Sequence, residues 1–320
     1  MKRILLAVML GIGVLGFAQP SREKTKEIIK EQIVDKIKGY KPTDLVPYSK
    51  DGKKWALMDV KSRKILTDFI LDEPSTFNPK LHFSIGIGEN KSQMEILSDY
   101  KITQITHSGP VLGNTIAKKI IETTNEPGFK VDENGKIISH YSNYYNISEP
   151  ILYKGAYYAM VFTKEKYCTL INQKGEEHDG FRFKNIGHLN YKDKESGDNV
   201  FFVEDFEGKR GFITISGKKK LYGEIMKGND ISALGYAIQK DHYNLNRIKK
   251  SGVIDGTIQD WLIKPQEIYR IYNILYTSSE EINIKTADDR NKATVYFLAT
   301  DQSGQHFVLD VKGNPILPKK

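Results

Sequence analysis

The chain has 320 residues, 39% of them apolar and 28% charged, which is long enough to bury a sizeable core and too polar for a polytopic membrane protein. Lys plus Arg number 48 against 40 Asp plus Glu, and only eight of the basic residues are Arg. Scattered Lys is the residue of a solvated surface, whereas bidentate reading of bases and phosphates uses the Arg fork, so no nucleic-acid partner is expected.

Lys2 and Arg3 precede an apolar run from Ile4 to Leu15, and small Gly16 and Ala18 flank Phe17. That is the pattern of a secretory signal peptide over residues 1–18, cleaved after Ala18. The run is shorter than the ~20 residues of a membrane span, so the mature chain is expected to carry no transmembrane segment. No Cys follows Ala18 to take a lipid, and Cys168 stands alone, without a partner for a disulfide or a zinc or redox pair. The expected location is the periplasm or the cell surface.

Residues 19–44 read as an N-terminal helix and linker. Ile29, Ile33 and Ile37 recur every four residues in the Lys- and Glu-rich segment 21–38, with Ile28 and Val34 beside them and Gly39 as a stop. A narrow apolar stripe between charges of both signs favours a helix that covers the end of the following domain over one that binds a surface.

From residue 45 the texture changes to short alternating segments broken by Gly, Asn, Asp and Lys. Residues 55–62, 128–135, 168–175, 210–217, 245–252 and 306–313 lie over one another as short strands ending in polar turns. The fourth position is always apolar, as Met58, Val131, Ile171, Ile213, Ile248 and Leu309. The last is Gly135, Gly175, Gly217, Gly252 or Gly313 in five of the six, where a turn needs positive φ. Strands at 157–162, 200–204, 236–239 and 294–299 precede most frames. A further hairpin over 81–87 and 94–99 makes a seventh unit, with Gly86 and Gly88 read as a bulge. A single hairpin is unstable in water, so the units must ring or stack. The expected fold is all-β over 45–320: six or seven hairpin-based repeats of about 35–42 residues, in a propeller-like ring or stacked β array.

Lys54-Trp55-Ala56-Leu57-Met58-Asp59 resembles the unit of the bacterial WG β-repeat family, which reads Lys-Trp-Gly-aromatic-Ile-Asp, two polar residues, Gly-Lys, an apolar pair and Pro. Leu309-Asp310 followed by Gly313-Asn314-Pro315-Ile316-Leu317-Pro318 is similar to its second half. The resemblance implies an exported or envelope-associated repeat protein in which Trp55, Asp59, Gly135, Gly175, Gly217, Gly252, Asp310 and Gly313 are structural anchors. The family motif is structural and implies no catalytic residue.

Pro265, Ile268, Ile271, Tyr272 and Leu275 have helical spacing with Pro at the start, which predicts a helical insertion at about 262–280, packed on the array or used for docking. The search for chemistry finds no Gly-rich phosphate loop, no His-Glu-x-x-His and no Gly-x-Ser-x-Gly elbow. Glu176-Glu177, Asp288-Asp289 and His107-Ser108-Gly109-Pro110 read as turns. No catalytic residue, cofactor or metal is expected. Tyr141, Tyr144 and Tyr145, in a Tyr-rich stretch that runs on to Tyr153, Tyr157 and Tyr158, suit cross-strand packing or contact with a sugar or protein. The functional expectation is a non-catalytic envelope or secreted protein that mediates protein interaction or scaffolding; the alternative is a glycan-binding or glycan-processing protein of the envelope.

Overall fold

The computed structural model describes residues 22–87, 90–96, 98–99, 101–104, 121–226 and 231–319. The signal pattern, Gly88 and the His107-Ser108 turn lie outside the described residues. The chain is mostly β, in seven small sheets, with a short helical segment at the N-terminal side. Among the described residues, all strand pairs are antiparallel except Glu122–Thr124 with Ile137–Tyr141. It divides into two compact units, residues 1–106 with 318–320, and residues 107–317.

In the first unit the helical segment runs through Arg22–Ile29, a π-helical stretch Lys30–Val34, and Asp35–Ile37. Ile29, Ile33 and Ile37 are buried on it. An α-helix turns every 3.6 residues, so a strict four-residue repeat drifts around its axis; the wider π turn brings the three isoleucines back to one side. A hairpin of Leu45–Tyr48 and Ala56–Asp59 follows, then a sheet of Leu81–Ile87, Asn90–Ile96 and Ile102–Gln104. Leu71 joins them by bridging to both Trp55 and Ile85. The Trp55 N–H donates to Leu71 C=O at 2.9 Å and its ring is buried, so Trp55 anchors this unit's core. Register runs unshifted through Gly86 to Ile87, so the expected bulge is absent at Gly86: a glycine in a paired strand needs none.

The second unit begins with Glu122–Thr124, Phe129–Val131 and Ile137–Tyr141, and continues as four sheets in chain order. The first spans 144–183, and its strands Tyr144–Ile147 and Ile151–Tyr153 share one edge of Ala156–Thr163. The next consists of Asn185–Lys192, Asn199–Glu204, Arg210–Thr214 and Lys219–Lys220. The third is Ile231–Ala233, Tyr236–Lys240, Ser251–Asp255 and Asp260–Gln266; the last is Arg270–Thr277, Thr294–Thr300, His306–Leu309 and Pro315–Ile316.

Strand alternation gives each middle sheet two apolar faces. On 144–183, Ala159, Val161 and Ile171 pack with Phe129, while Cys168, Leu170 and Phe181 pack with Phe201, Val203 and Ile213 of the 185–220 sheet. The reverse face of that sheet, through Val200 and Phe212, packs with Ile254 of the next. Fully burying a side chain such as Phe181 or Phe201 stabilises by roughly 2–3 kcal/mol, and no single sheet could bury both its faces alone.

One turn recurs through this unit. Asp310 N–H donates to Asn314 C=O at 3.0 Å, Gly313 N–H returns to Asp310 C=O at 2.9 Å, and Asp310 Oδ1 accepts the N–H groups of Lys312 and Asn314 at 2.8 and 2.9 Å. Asp132 and Asn172 repeat all four bonds, with Gly135 and Gly175 at positive φ in the fourth place. Thr214 builds the same turn with its hydroxyl and Gly217. The strand-ending polar residue thus sets each turn, and the glycine three residues on permits its left-handed step.

Two sequence expectations are corrected here. Gly252 is not a turn glycine: it lies within Ser251–Asp255, and the turn residue of that sheet is Asp255. A Cβ on Gly252 would stand 2.7 Å from Ile263 C=O, just as one on Gly211 would meet Tyr222 Cα at 2.5 Å, so both glycines admit a neighbouring chain. With Asp255 in place the anchors fall at 132, 172, 214 and 255, at intervals of 40, 42 and 41 residues. Nor is 262–280 helical; it holds the strands Asp260–Gln266 and Arg270–Thr277. The buried residues Ile271, Ile274 and Thr277 stand three apart because the register shifts between Ile271 and Asn273 and the strand beyond it is buried on both faces, and that spacing imitates a helix. Pro265 stands on the outermost strand of its sheet, where a missing N–H is tolerated.

Candidate binding surface

The tyrosines singled out by the sequence do not form one surface. Tyr141 and Tyr144 meet edge to face at 5.4 Å, and the Tyr144 hydroxyl accepts the Gly128 N–H at 3.3 Å. Tyr144 packs into the Phe129 cluster, and this burial pushes its hydroxyl pKa up. Tyr145, 68% exposed, sits 6.2 Å from Phe162, whose side chain joins the cluster on the opposite sheet face. Tyr141 and Tyr144 pack against each other across the turn at 142–143, and of the three Tyr145 alone is exposed.

The repeat anchors are structural in the same sense. Asp59 Oδ2 accepts the Ser62 N–H at 2.6 Å, and Trp55, Asp310, Gly135, Gly175, Gly217 and Gly313 serve the core or the turns described above. Several buried or half-buried charged groups of the second unit pair with one another. Asp193 is buried against Lys220 Nζ at 2.6 Å, which holds its carboxyl far below the usual range. Lys184 at 2.8 Å and Arg210 at 2.9 Å hold Glu204 low. Burial alone would raise Asp255, but Arg290 and Thr257 outweigh it and keep it ionised. Among the described residues, no group of three or more His, Cys, Asp or Glu is placed to hold a metal ion.

Two departures from the repeat are large, and they differ in what they touch. Between the first two strands of the last sheet, residues 278–293 form a long loop that folds back on the 231–266 sheet. Arg290 donates to Asp255 and to Leu234 C=O and covers the Tyr236 ring at 3.8 Å, so this loop is consumed by internal contacts. The other departure joins Tyr236–Lys240 to Ser251–Asp255. At the equivalent place the flanking sheets have five-residue turns, Asp205 to Lys209 and Asp301 to Gln305, closed like the Asp310 turn. Here ten residues, 241–250, intervene.

This longer loop holds its shape with its own side chains. Asp241 accepts the N–H groups of Lys249 and Lys250 at 3.0 and 3.1 Å, and Asn244 accepts the Asn246 N–H at 2.9 Å. Ile248 is buried beneath it, while Tyr243 is 68% exposed. Beside it, the Gln266 side chain clamps the turn to Arg270, accepting the Tyr269 N–H at 2.8 Å and donating to Tyr269 C=O at 2.8 Å. Arg270 Nη2 reaches Asp301 C=O at 2.9 Å.

Together these turns frame a groove. Shallow, open surface depressions of about 490 and 400 Å³ adjoin and share Glu267, Ile268, Asp301 and Gln302; Tyr269 and Ser303 line one, Ile248, Lys249 and Arg270 the other. Ile268 stands in it 65% exposed. Sequence reasoning missed this surface, although the ten residues between two regular strands, where neighbouring units spend five, were the signal to follow.

No protein-family model matches the chain, and no curated protein matches it. Among solved structures, a protein of unknown function from Bacteroides caccae is similar at 12% identity and TM-score 0.22, covering 85% of this chain and 97% of its own. The N-terminal part of BBS1, in complex with ARL6, is similar at 11% identity and TM-score 0.26, covering 88% and 93%. Scores of that size establish no common fold.

Proposed function

We propose that the chain is an exported, non-catalytic β-repeat protein of the bacterial envelope, related to the WG-repeat type, that serves as an interaction or scaffold protein. The observation that carries the reading is the groove framed by residues 241–250, 266–270 and 301–303, where the regular repeat is lengthened to present an open surface with an exposed Ile268. In repeat architectures, such additions gather on the face that binds. The charge pattern supports the same reading, since Asp193, Glu204 and Asp255 are each fixed by a cation and serve the framework. Export is supported by the basic, apolar and small-residue pattern of residues 1–18. Among the described residues, no helix is long and apolar enough to cross a membrane.

Crosslinking of the tagged full chain in intact envelopes, followed by mass spectrometry, tests this. Reproducible enrichment of one protein partner is expected. Enrichment of polysaccharide without protein overturns the interaction reading in favour of glycan binding, and recovery of the chain in the cytoplasm with residues 1–18 retained overturns export.

A further inference from the structure

The chain contains one Asn-Gly pair, Asn134-Gly135, set in the turn that Asp132 builds between Phe129–Val131 and Ile137–Tyr141. In the equivalent turns the residue before the glycine is Lys174, Ser216 or Lys312, so an asparagine here departs from the series. The turn does not use its side chain. Asp132 Oδ1 already accepts the Asn134 and Lys136 N–H groups at 3.0 and 2.9 Å, and among the described residues the Asn134 amide group has no hydrogen-bond partner. Asn143, Asn172 and Asn314, by contrast, have theirs bonded to Tyr141, Glu176 and Asp310. Asn134 is exposed, and it borders a surface depression of about 400 Å³ through which water reaches the turn.

We propose that Asn134 is a site of spontaneous covalent modification, converting to aspartate and isoaspartate through a cyclic imide. The Gly135 main-chain nitrogen, once its proton has passed to solvent hydroxide, attacks Asn134 Cγ. A new N–Cγ bond forms, the bond from Cγ to the amide nitrogen breaks, and that nitrogen takes up a proton from water and leaves as ammonia. Water then opens the imide: addition at Cγ leaves aspartate, and addition at the main-chain carbonyl leaves isoaspartate. One water is consumed in the net exchange, one ammonia is released, and nothing is oxidised or reduced. Glycine makes the attack accessible because it has no Cβ beside the nitrogen. Asn146 and Asn246 are exposed as well, but Ile147 and Arg247 follow them and crowd the approach. The restraint at Gly135 is its N–H bond to Asp132 C=O at 3.0 Å, in an open turn where such bonds exchange with water. Isoaspartate carries the main chain through Cβ and so adds a methylene between the two N–H groups that Asp132 Oδ1 holds, which the turn cannot accommodate with both bonds kept. Aspartate adds only a charge.

The test is peptide mapping of the folded full chain after incubation in neutral and in mildly alkaline buffer. Trypsin releases residues 131–136 as one peptide, whose mass should rise by the difference between NH2 and OH, faster in the alkaline buffer, with electron-transfer fragmentation showing isoaspartate at 134. The peptides that hold Asn146 and Asn246 should keep their mass over the same period. Asn134→Lys, which copies the residue at 174 and 312, should abolish the shift. The isoaspartate-rich fraction, separated by charge, should melt below the parent chain, whereas Asn134→Asp should melt with it. Retention of the Asn134 amide in the folded chain, whether or not urea releases it, overturns the inference. So does equal conversion at Asn146 or Asn246, or an isoaspartate-rich fraction that melts with the parent.

Discussion

Arg290 lies on Asp255 through two parallel hydrogen bonds, Nη1 to Oδ2 at 2.8 Å and Nη2 to Oδ1 at 3.0 Å, across 35 residues of sequence. Asp255 is also the residue that ends its strand and accepts the Thr257 N–H at 2.9 Å. One carboxylate therefore fixes a turn of the 231–266 sheet and holds the long loop of the next sheet against it. Removing the guanidinium leaves a mostly buried charge with fewer donors. Arg290→Ala should destabilise the protein by about 2–4 kcal/mol, read from urea unfolding; a loss within ~0.5 kcal/mol would show that the loop is not held this way.

The recurring turns make a graded series. Gly217 has open space around it at φ +92, so Gly217→Ala meets only backbone strain and should cost about 1 kcal/mol. Gly128 is also at positive φ, and a Cβ there would run into the Gln173 carbonyl, so Gly128→Ala should cost clearly more. Asp310→Ala loses the carboxylate oxygen that accepts the Lys312 and Asn314 N–H groups and should cost about 1–2 kcal/mol. Equal losses at Gly217 and Gly128 in thermal melts would contradict the packing described for Gly128.

Tyr144 and Tyr145 are adjacent and should behave oppositely. Tyr144→Ala removes a ring from the Phe129 cluster and the acceptor for the Gly128 N–H, for about 2–4 kcal/mol. Tyr145→Ala, at an exposed site, should stay within ~0.5 kcal/mol. The measurement is the urea midpoint of each variant.

The depressed carboxyls predict acid sensitivity with a definite sign. Asp193, Glu204, Asp255 and Asp310 have folded-state pKa values below their unfolded ones, so their stabilisation is full above the unfolded values near pH ~4 and is lost as pH falls through the folded values. Stability should be level from about pH 7 to pH 5 as far as these groups are concerned and decline below pH ~4. Lys220→Met removes the main partner of Asp193, so its cost should be largest near neutrality and shrink in acid. A cost independent of pH, in urea titrations from about pH 7 to pH 3, would contradict that assignment.

The β class, most strand positions and the glycine turns at Gly135, Gly175, Gly217 and Gly313 were legible in the sequence, because alternation and positive φ leave local traces. Gly252 was misread because an isolated glycine looks alike in a turn and beneath a crossing strand; only Ile263 and Pro265, brought near by pairing, tell them apart. The strand Arg270–Thr277 was misread because one register shift and burial on both of its faces together space its buried residues three apart. The groove was invisible for a related reason. Its residues come from three turns that lie far apart in the sequence, and the individual residues have ordinary surface character.

The most direct measurement is to replace residues 241–250 with the five-residue turn Asp-Phe-Glu-Gly-Lys found at 205–209 and repeat the envelope crosslinking. The flanking strands pair as they do around the natural short turn, so cooperative unfolding should persist. The account predicts that capture of the protein partner is lost while the fold remains. Undiminished capture by the shortened, folded chain would contradict it.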